Sequence, residues 1–394
     1  MKVLVVDQSF FGLLYDVQFS AALAGAGADV TLVGRPLRPY EEVTSSGFRM
    51  LPLFYGFAER LPSRLRPVAK ATKGVEHARG MAALEALVRR ERPDAVHFQW
   101  LVLPLLDRLF LPRLARHAPL VLTVHNSVPW HGTSTSSLMI RGHDEALKGF
   151  DRYVPHTENI RDHLLGQGIP AERIDLLPHP AVRLPRAPEA AARAAARGPG
   201  APFEVLFFGS VKPYKGVDVL VRAGLGLARR GRRDFRITVA GKAFYDLAPL
   251  EAEVAAAGAS DLFDFQARHQ SELELGSKLE TADVVVFPYR EIDASGAFAC
   301  ASQFGKPILA TDLGVFAERP VRDHLLLVPP EDPGALAVAL GRLMDDPAER
   351  ARWAGRSRDL QGVMYTWERF ATDCLGIYGR LRGERRGRGL PAAA

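Results

Sequence analysis

Two doubly wound α/β units, each a parallel sheet covered by helices, are predicted from three features of this 394-residue chain. Short apolar runs alternate with stretches whose apolar residues recur at helical spacing almost from end to end, the pattern of a parallel sheet layered with helices. The alternation breaks once, at RLPRAPEAAARAAARGPGAP (Arg183 to Pro202), which is rich in Pro, Ala and Arg and has no large apolar residue after Leu184. That piece reads as a surface linker carrying a short helix. The length also exceeds what a single core ordinarily accommodates.

The elements follow in order. KVLVV, ADVTLV, DAVHF, PLVLTV and DRYVPH are the strands of the first half, with IDLLPH closing the set. Amphipathic stretches such as Asp16 to Ala26 and Gly74 to Arg90 supply helices between them. After the linker the alternation restarts with FEVLFFG, FRITVAG, LFDFQA, ADVVVFPY, KPILATD and HLLLVPP. The units so defined are residues 1–182 and 203–363. A ligand in such a chain belongs at the carboxyl ends of the strands.

Composition excludes several classes. MKVLVVDQSF has too short an apolar run before Asp7 to be the hydrophobic part of a signal peptide, and no window approaches the roughly 18 apolar residues of a membrane span. Cys300 and Cys374 are too few for a disulfide framework, so a reducing, cytoplasmic setting is expected. The net charge of +6 fits an anionic partner, whether a phosphorylated ligand or, peripherally, an anionic membrane near the basic stretch Arg60 to Gly80. Nucleic acid is set aside, because the basic residues lack aromatic interleaving or a recognised motif. The tail 381–394 is basic and reads as flexible.

Chemistry is concentrated at a few strand ends. FFGSVKPYKGVDVL places an apolar strand, Gly209, Ser210, Lys212, Lys215 and a helix start in succession, an arrangement suited to a phosphate although it is not the GxxxxGK[ST] loop. In PYREIDASGAFACASQFGKP, Glu291 and Asp293 can accept hydrogen bonds from ribose or sugar hydroxyls; Ser295 is a helix cap, and the backbone at Gly296 and Ala297 can approach an anion. His125 and Asn126 follow the strand VLTV, where a histidine can bond a sugar hydroxyl or shuttle a proton; His131 reads as a loop residue, and His156 and His179 as structural. Gly12 marks either a tight turn or a close approach. No Asp-x-Asp, HExxH, CxxC or EF-hand spacing occurs, so no metal site is signalled and protein cations must neutralise any diphosphate.

The GSVKPYKG loop, the ADVVVFPY strand, the SG-helix-GKPILATD segment and the closing YTWERF resemble the GT-B glycosyltransferases close to glycosyltransferase family 4. The resemblance implies two Rossmann-like domains facing a central cleft, a nucleotide-sugar donor on the second, a glycan or lipid-linked acceptor on the first, and no cofactor or essential metal. It also implies that a helix over 364–380 packs back on the first domain. Lys215 matches the family lysine. Three departures stand out: Ser210 replaces the arginine after the loop glycine, the two family glutamates fall on Ile292 and Cys300, and the N-terminal glycine pair is reduced to Gly12.

The activity so implied is sugar transfer, as in polysaccharide biosynthesis, with retention, the leaving phosphate taking the acceptor proton. An inverting course would need a base, for which Asp16 and His125 are candidates by position. The alternatives are a nucleotide-sugar epimerase on the same scaffold and a non-catalytic sugar-nucleotide-binding homologue, the latter suggested by Cys300.

Overall fold

The run KVLVV becomes β1 (Lys2–Val6), whose residues Val3 to Val6 are fully buried because a central parallel strand is covered on both faces. The computed structural model describes residues 1–43, 46–61, 66–127, 137–198 and 200–387, and of 66–71 and 137–141 only the backbone. The chain divides into one unit of Met1–Pro180 with the chain from Tyr365 onward, and a second of Ala181–Met364.

In the first unit β2 (Asp29–Gly34), β3 (Arg49–Pro52), β4 (Ala95–Phe98), β5 (Leu120–Val124) and β6 (Arg152–Pro155) join β1 in the order β3-β2-β1-β4-β5-β6. Every pairing is parallel, and Val3 lies opposite both Val30 and Ala95. Helices α1 (Leu13–Gly25), α2 (Arg66–Glu91), α3 (Pro104–Ala115), α4 (Ser137–Leu147) and α5 (Glu158–Gly166) connect them. Leu4, Val6, Phe98, Leu120 and Phe150 are among the residues of one buried apolar cluster.

IDLLPH is not a strand. Asp175 N–H donates to Tyr153 O and Leu177 N–H to Pro155 O, so the segment runs extended beside β6 without forming a regular ladder. Of the basic stretch Arg60 to Gly80, residues 62–65 and the side chains of 66–71 lie outside the described residues.

The second unit repeats the order. Its strands are β7 (Phe203–Phe208), β8 (Phe235–Ala240), β9 (Phe263–Gln266), β10 (Val284–Phe287), β11 (Ile308–Thr311) and β12 (Leu326–Val328), arranged β12-β11-β10-β7-β8-β9 and all parallel. The piece read as a linker belongs to this unit: α6 (Pro188–Ala195) packs on α9 (Glu272–Thr281), and Val182 N–H donates to Ala299 O. The remaining helices are α7 (Val217–Arg229), α8 (Ala248–Ala256), α10 (Gly296–Ala301), α11 (Pro333–Asp345) and α12 (Pro347–Val363).

The last helix, α13 (Trp367–Gly387), returns to the first unit and packs on α1, burying Trp367, Phe370, Ile377 and Tyr378. It continues past residue 380, and 388–394 lie outside the described residues. Its polar anchor is buried: His97 on β4 meets the Tyr378 hydroxyl at 2.5 Å through Nδ1 and Thr123 Oγ1 at 2.8 Å through Nε2.

Burial pushes the His97 imidazole down to about 3, so it stays neutral in the fold while the unfolded chain takes up a proton near 6.5. A depressed histidine contributes stability that is present above 6.5 and is lost as pH falls toward the folded value. Between pH 7 and pH 5 the wild type should lose about 2 kcal/mol more than His97→Gln, a difference in which the other titrating groups cancel. Urea denaturation of both proteins at the two pH values measures it, and equal losses would show that His97 is not sealed.

Candidate functional site

In both sheets the strand order reverses between the first and fourth strands of the unit, and the loops leaving those strands face each other at the sheet's carboxyl edge. In the second unit these are the loops after β7 and β10. Gly209 leaves β7 with φ of +107°, a backbone state that side chains rarely adopt. A Cβ there would lie 3.4 Å from both Lys215 Nζ and Ala297 Cβ, so the loop glycine, the lysine and the start of α10 converge on one point.

Lys215 reaches that point from a 3-10 turn, Pro213–Lys215, and is only 9% exposed. Burial lowers its pKa, its Nζ lies 5.0 Å from the centre of the Tyr289 ring, and no carboxylate forms an ion pair with it among the described residues. Such a cation is poorly solvated and has no counterion among the described residues, so an anionic ligand would stabilise it. Lys212, half-buried, has its pKa lowered first by burial and then by the Lys215 charge. Its Nζ sits 5.4 Å over the Phe244 ring, with Lys242 5.5 Å from the same ring. The loop after β8 is zipped to the lysine loop, since Val211 N–H donates to Lys242 O and Phe244 N–H to Val211 O. Lys242 and Phe244 come beside Val211 through the register of β7 and β8.

Ser295 caps α10, its hydroxyl accepting from Phe298 N–H at 3.2 Å. Ser210 is exposed at the loop's other end. Glu291 is exposed and Asp293 buried; both act on the Tyr214 phenol, whose pKa is raised by burial first and by their charge in smaller part. Cys300 is buried one turn along, and burial pushes its thiol up to about 12, so it carries no charge that could replace a carboxylate.

Arg290 holds the two loops together. Its guanidinium donates twice to Asp218 at 2.8 Å and once to Glu331 at 2.8 Å, its Nη1 also reaches Pro213 O at 2.9 Å, and its backbone N–H donates to Tyr214 O at 2.7 Å. Burial opposes ionisation of Asp218, but the guanidinium outweighs it and lowers the carboxyl pKa. Arg290 is therefore a positioning residue that the sequence showed only as part of a charged loop.

In the first unit the corresponding loops follow β1 and β4. Asp7 accepts hydrogen bonds from Ser9 N–H (3.0 Å) and Gly12 N–H (3.3 Å), which accounts for the tight turn before α1. Asp16, on α1, is fully buried beside Asp7; burial, and then the Asp7 charge, raise its pKa well above the ordinary carboxyl value. A fully buried carboxyl is out of a ligand's reach, which weighs against the base role its position suggests.

His125 stacks on Trp100 at 4.5 Å and 16°, and its Nε2 bonds Gln99 Oε1 at 3.2 Å. Burial, with smaller contributions from the neighbouring histidines, holds its pKa well below the usual value. Asn126 follows it, half-buried, and His131 lies outside the described residues.

Among the described residues one group could hold a metal ion: ligand atoms of His125, His156 and His179 all lie within 4.8 Å of one another. The rings are already engaged. His156 bonds the Tyr15 hydroxyl at 3.2 Å and Leu177 O at 2.9 Å, and His179 Nδ1 bonds Pro180 O at 2.8 Å. Burial holds His156 well below its usual pKa and brings His179 down to about 4. Both cysteines are free and buried, and no helix among the described residues is long and apolar enough to cross a membrane.

Comparison with known proteins agrees with this geometry. Residues 17–180 match the model of the glycosyl transferase 4-like domain, and residues 202–346 that of glycosyl transferases group 1. A D-inositol 3-phosphate glycosyltransferase of Kineococcus radiotolerans is 28% identical over 94% of this chain and 91% of its own length. Sucrose-phosphate synthase of Thermosynechococcus elongatus superposes with a TM-score of 0.74 at 19% identity, over 97% of this chain and 99% of that one. HepE of Anabaena, in complex with UDP-glucose, gives 0.69 at 15% identity, over 96% of this chain and all of the other (100%). With two repeated parallel sheets, a lysine loop at the switch point of the second, and both halves matched by glycosyltransferase domains, this chain belongs to the family 4-like GT-B glycosyltransferases.

Proposed function

We infer that the chain moves a sugar from a nucleoside diphosphate sugar to a hydroxyl of a glycan, glycolipid or secondary metabolite, with retention at the anomeric carbon and without a metal at the diphosphate. The observation that carries this is Lys215, a buried cation with no ion pair among the described residues, brought to one point with Gly209 and Ala297 at a sheet switch point. The UDP-glucose complex of HepE, which has the same fold, supports the choice of donor class.

As the anomeric C–O bond breaks, its electron pair passes to the diphosphate, and Lys215 with Lys212 stabilises the charge that develops there. The acceptor oxygen bonds the anomeric carbon from the same face, and its proton goes to the departing phosphate oxygen. No protein base is needed on that course. Of the two bases suggested by position, Asp16 is fully buried and burial weakens the basicity of His125, which favours that course.

A thermal-shift series with UDP, GDP, ADP, TDP and CDP and their common sugars, in EDTA and again with Mg, tests the reading. One nucleoside diphosphate should stabilise the protein equally in both conditions, by about 2.7 kcal/mol at a hundredfold excess over its Kd. No stabilisation by any of them would overturn the donor assignment. Donor consumption without acceptor would instead indicate an epimerase, and binding without turnover a non-catalytic protein.

A further inference from the structure

His125 directly follows β5, His156 directly follows β6, and His179 lies on the extended chain that runs beside β6 toward Pro180. The ligand atoms these rings offer lie within 4.8 Å of one another, and their hydrogen bonds settle which nitrogens carry protons. A carbonyl oxygen only accepts, so His156 Nδ1 donates to Leu177 O at 2.9 Å and His179 Nδ1 to Pro180 O at 2.8 Å. His125 Nε2 donates likewise to the Gln99 amide oxygen at 3.2 Å. Burial lowers the pKa of all three rings, which leaves an unprotonated nitrogen on each: Nε2 of His156 and His179, and Nδ1 of His125. An imidazole whose other N–H is tied to a carbonyl has its tautomer and ring plane fixed, as metal-binding histidines do.

An oxygen stands with them. Tyr15, on α1, is buried; its ring meets those of His125 and His179 edge-on at 5.0 and 5.3 Å, and its hydroxyl lies 3.2 Å from His156 Nε2. Ligands on a tetrahedral zinc, with bonds of about 2.0–2.1 Å, stand roughly 3.3 Å apart, so this pair already spans one edge of such a site. Trp367 of α13 packs on the Tyr15 ring at 4.8 Å and Phe370 on His156 at 5.8 Å, an apolar cover that limits water. Three imidazole nitrogens and one oxygen suit zinc, or cobalt in its place, better than magnesium or calcium, which take oxygens.

We propose that His125, His156, His179 and Tyr15 form a zinc site within the first unit, the cation replacing the hydrogen bond between Tyr15 and His156. The phenol proton leaves to solvent as the Zn–O bond forms, and the metal ties α1, the loop after β5, the end of β6 and the segment before Pro180 to one point. No ligand spacing marks the site in the sequence, because the sheet and not a motif brings the histidines together. The inference does not rest on the transferase reading, whose lysine loop lies in the second unit.

The test is titration of the untagged full chain, freed of metal with EDTA and dialysed, with Zn²⁺ and with Co²⁺. One zinc per chain should bind with a Kd of about 10 μM or tighter and raise the melting temperature by several degrees. Cobalt should give the intense visible absorption of a four-coordinate ion. His179→Gln removes a half-buried ring and should weaken zinc by about 100-fold; Tyr15→Phe keeps the packed ring, removes only the oxygen, and should weaken it by about 10-fold. Metal-free melts of both variants close to that of the wild type would separate a lost site from a lost fold, and the wild-type titrations stand without them. Weaker wild-type binding than that Kd, the pale spectrum of octahedral cobalt, or undiminished zinc affinity in either variant would overturn the proposal. The nucleotide-induced thermal shift reads the second unit and stands or falls apart from it.

Discussion

Replacing Lys215 by methionine should lower sugar transfer by about 10² to 10³ while leaving the ligand-free protein as stable as before, or more so. The two effects share one cause. The ammonium is buried and has no ion pair among the described residues, so in the ligand-free state it is a desolvation cost that methionine, similar in length and volume, removes. On the proposed mechanism the same charge faces a diphosphate whose negative charge is growing, in a site where water screens it little. A rate assay on the donor identified by thermal shift, beside thermal melts of both proteins, measures the pair. Lys212, half-buried and lying over Phe244, is better screened, and Lys212→Met should cost about 10-fold or less. Transfer undiminished in Lys215→Met would move the charge-stabilising role elsewhere. A fall in melting temperature with the same loss of rate would make the lysine a packing residue.

The second unit was legible strand for strand because its sheet is buried on both faces, so that FEVLFF, FRITVA and VVVF are near-continuous apolar runs. In the first unit β3, the tetrapeptide RMLP, was missed because it is a sheet-edge strand with two exposed ends and no periodicity to read. The opposite error, IDLLPH, has strand composition but only follows β6 at its border.

At the site, the local signal was sound wherever one loop holds the chemistry, as in Gly209 to Lys215. It failed wherever function rests on residues far apart in the chain. Arg290 reaches Pro213 and Asp218 across more than 70 residues, His97 meets Tyr378 across 281, and His125, His156 and His179 come from three separate segments. No spacing rule links such residues; topology brings them together.

Gly216, at the end of the lysine turn, should tolerate alanine poorly. Its φ of +66° is left-handed, and a Cβ there would stand 1.9 Å from the carbonyl oxygen of Pro288, a backbone atom that cannot swing aside. Relief requires the loop after β10 to move away from the lysine turn. That motion would break the Arg290 hydrogen bonds to Pro213, Tyr214 and Asp218 that fix the two loops. The backbone strain alone is worth about 1–3 kcal/mol, or several degrees of melting temperature for a unit of this size.

Transfer should fall with stability in Gly216→Ala, by about 10² or more, since displacements near 1 Å can cost that much in a positioned site. Gly296→Ala is the complementary variant. A Cβ there meets nothing within 4 Å, so stability should be unchanged. If the backbone at the start of α10 does approach the donor, the added methyl occupies the space the ligand needs, and nucleotide affinity should drop while the melting curve stays put. Thermal melts with and without the nucleotide separate the two cases. Unchanged binding in Gly296→Ala would take α10 out of the donor site and leave the phosphate to the lysine loop alone.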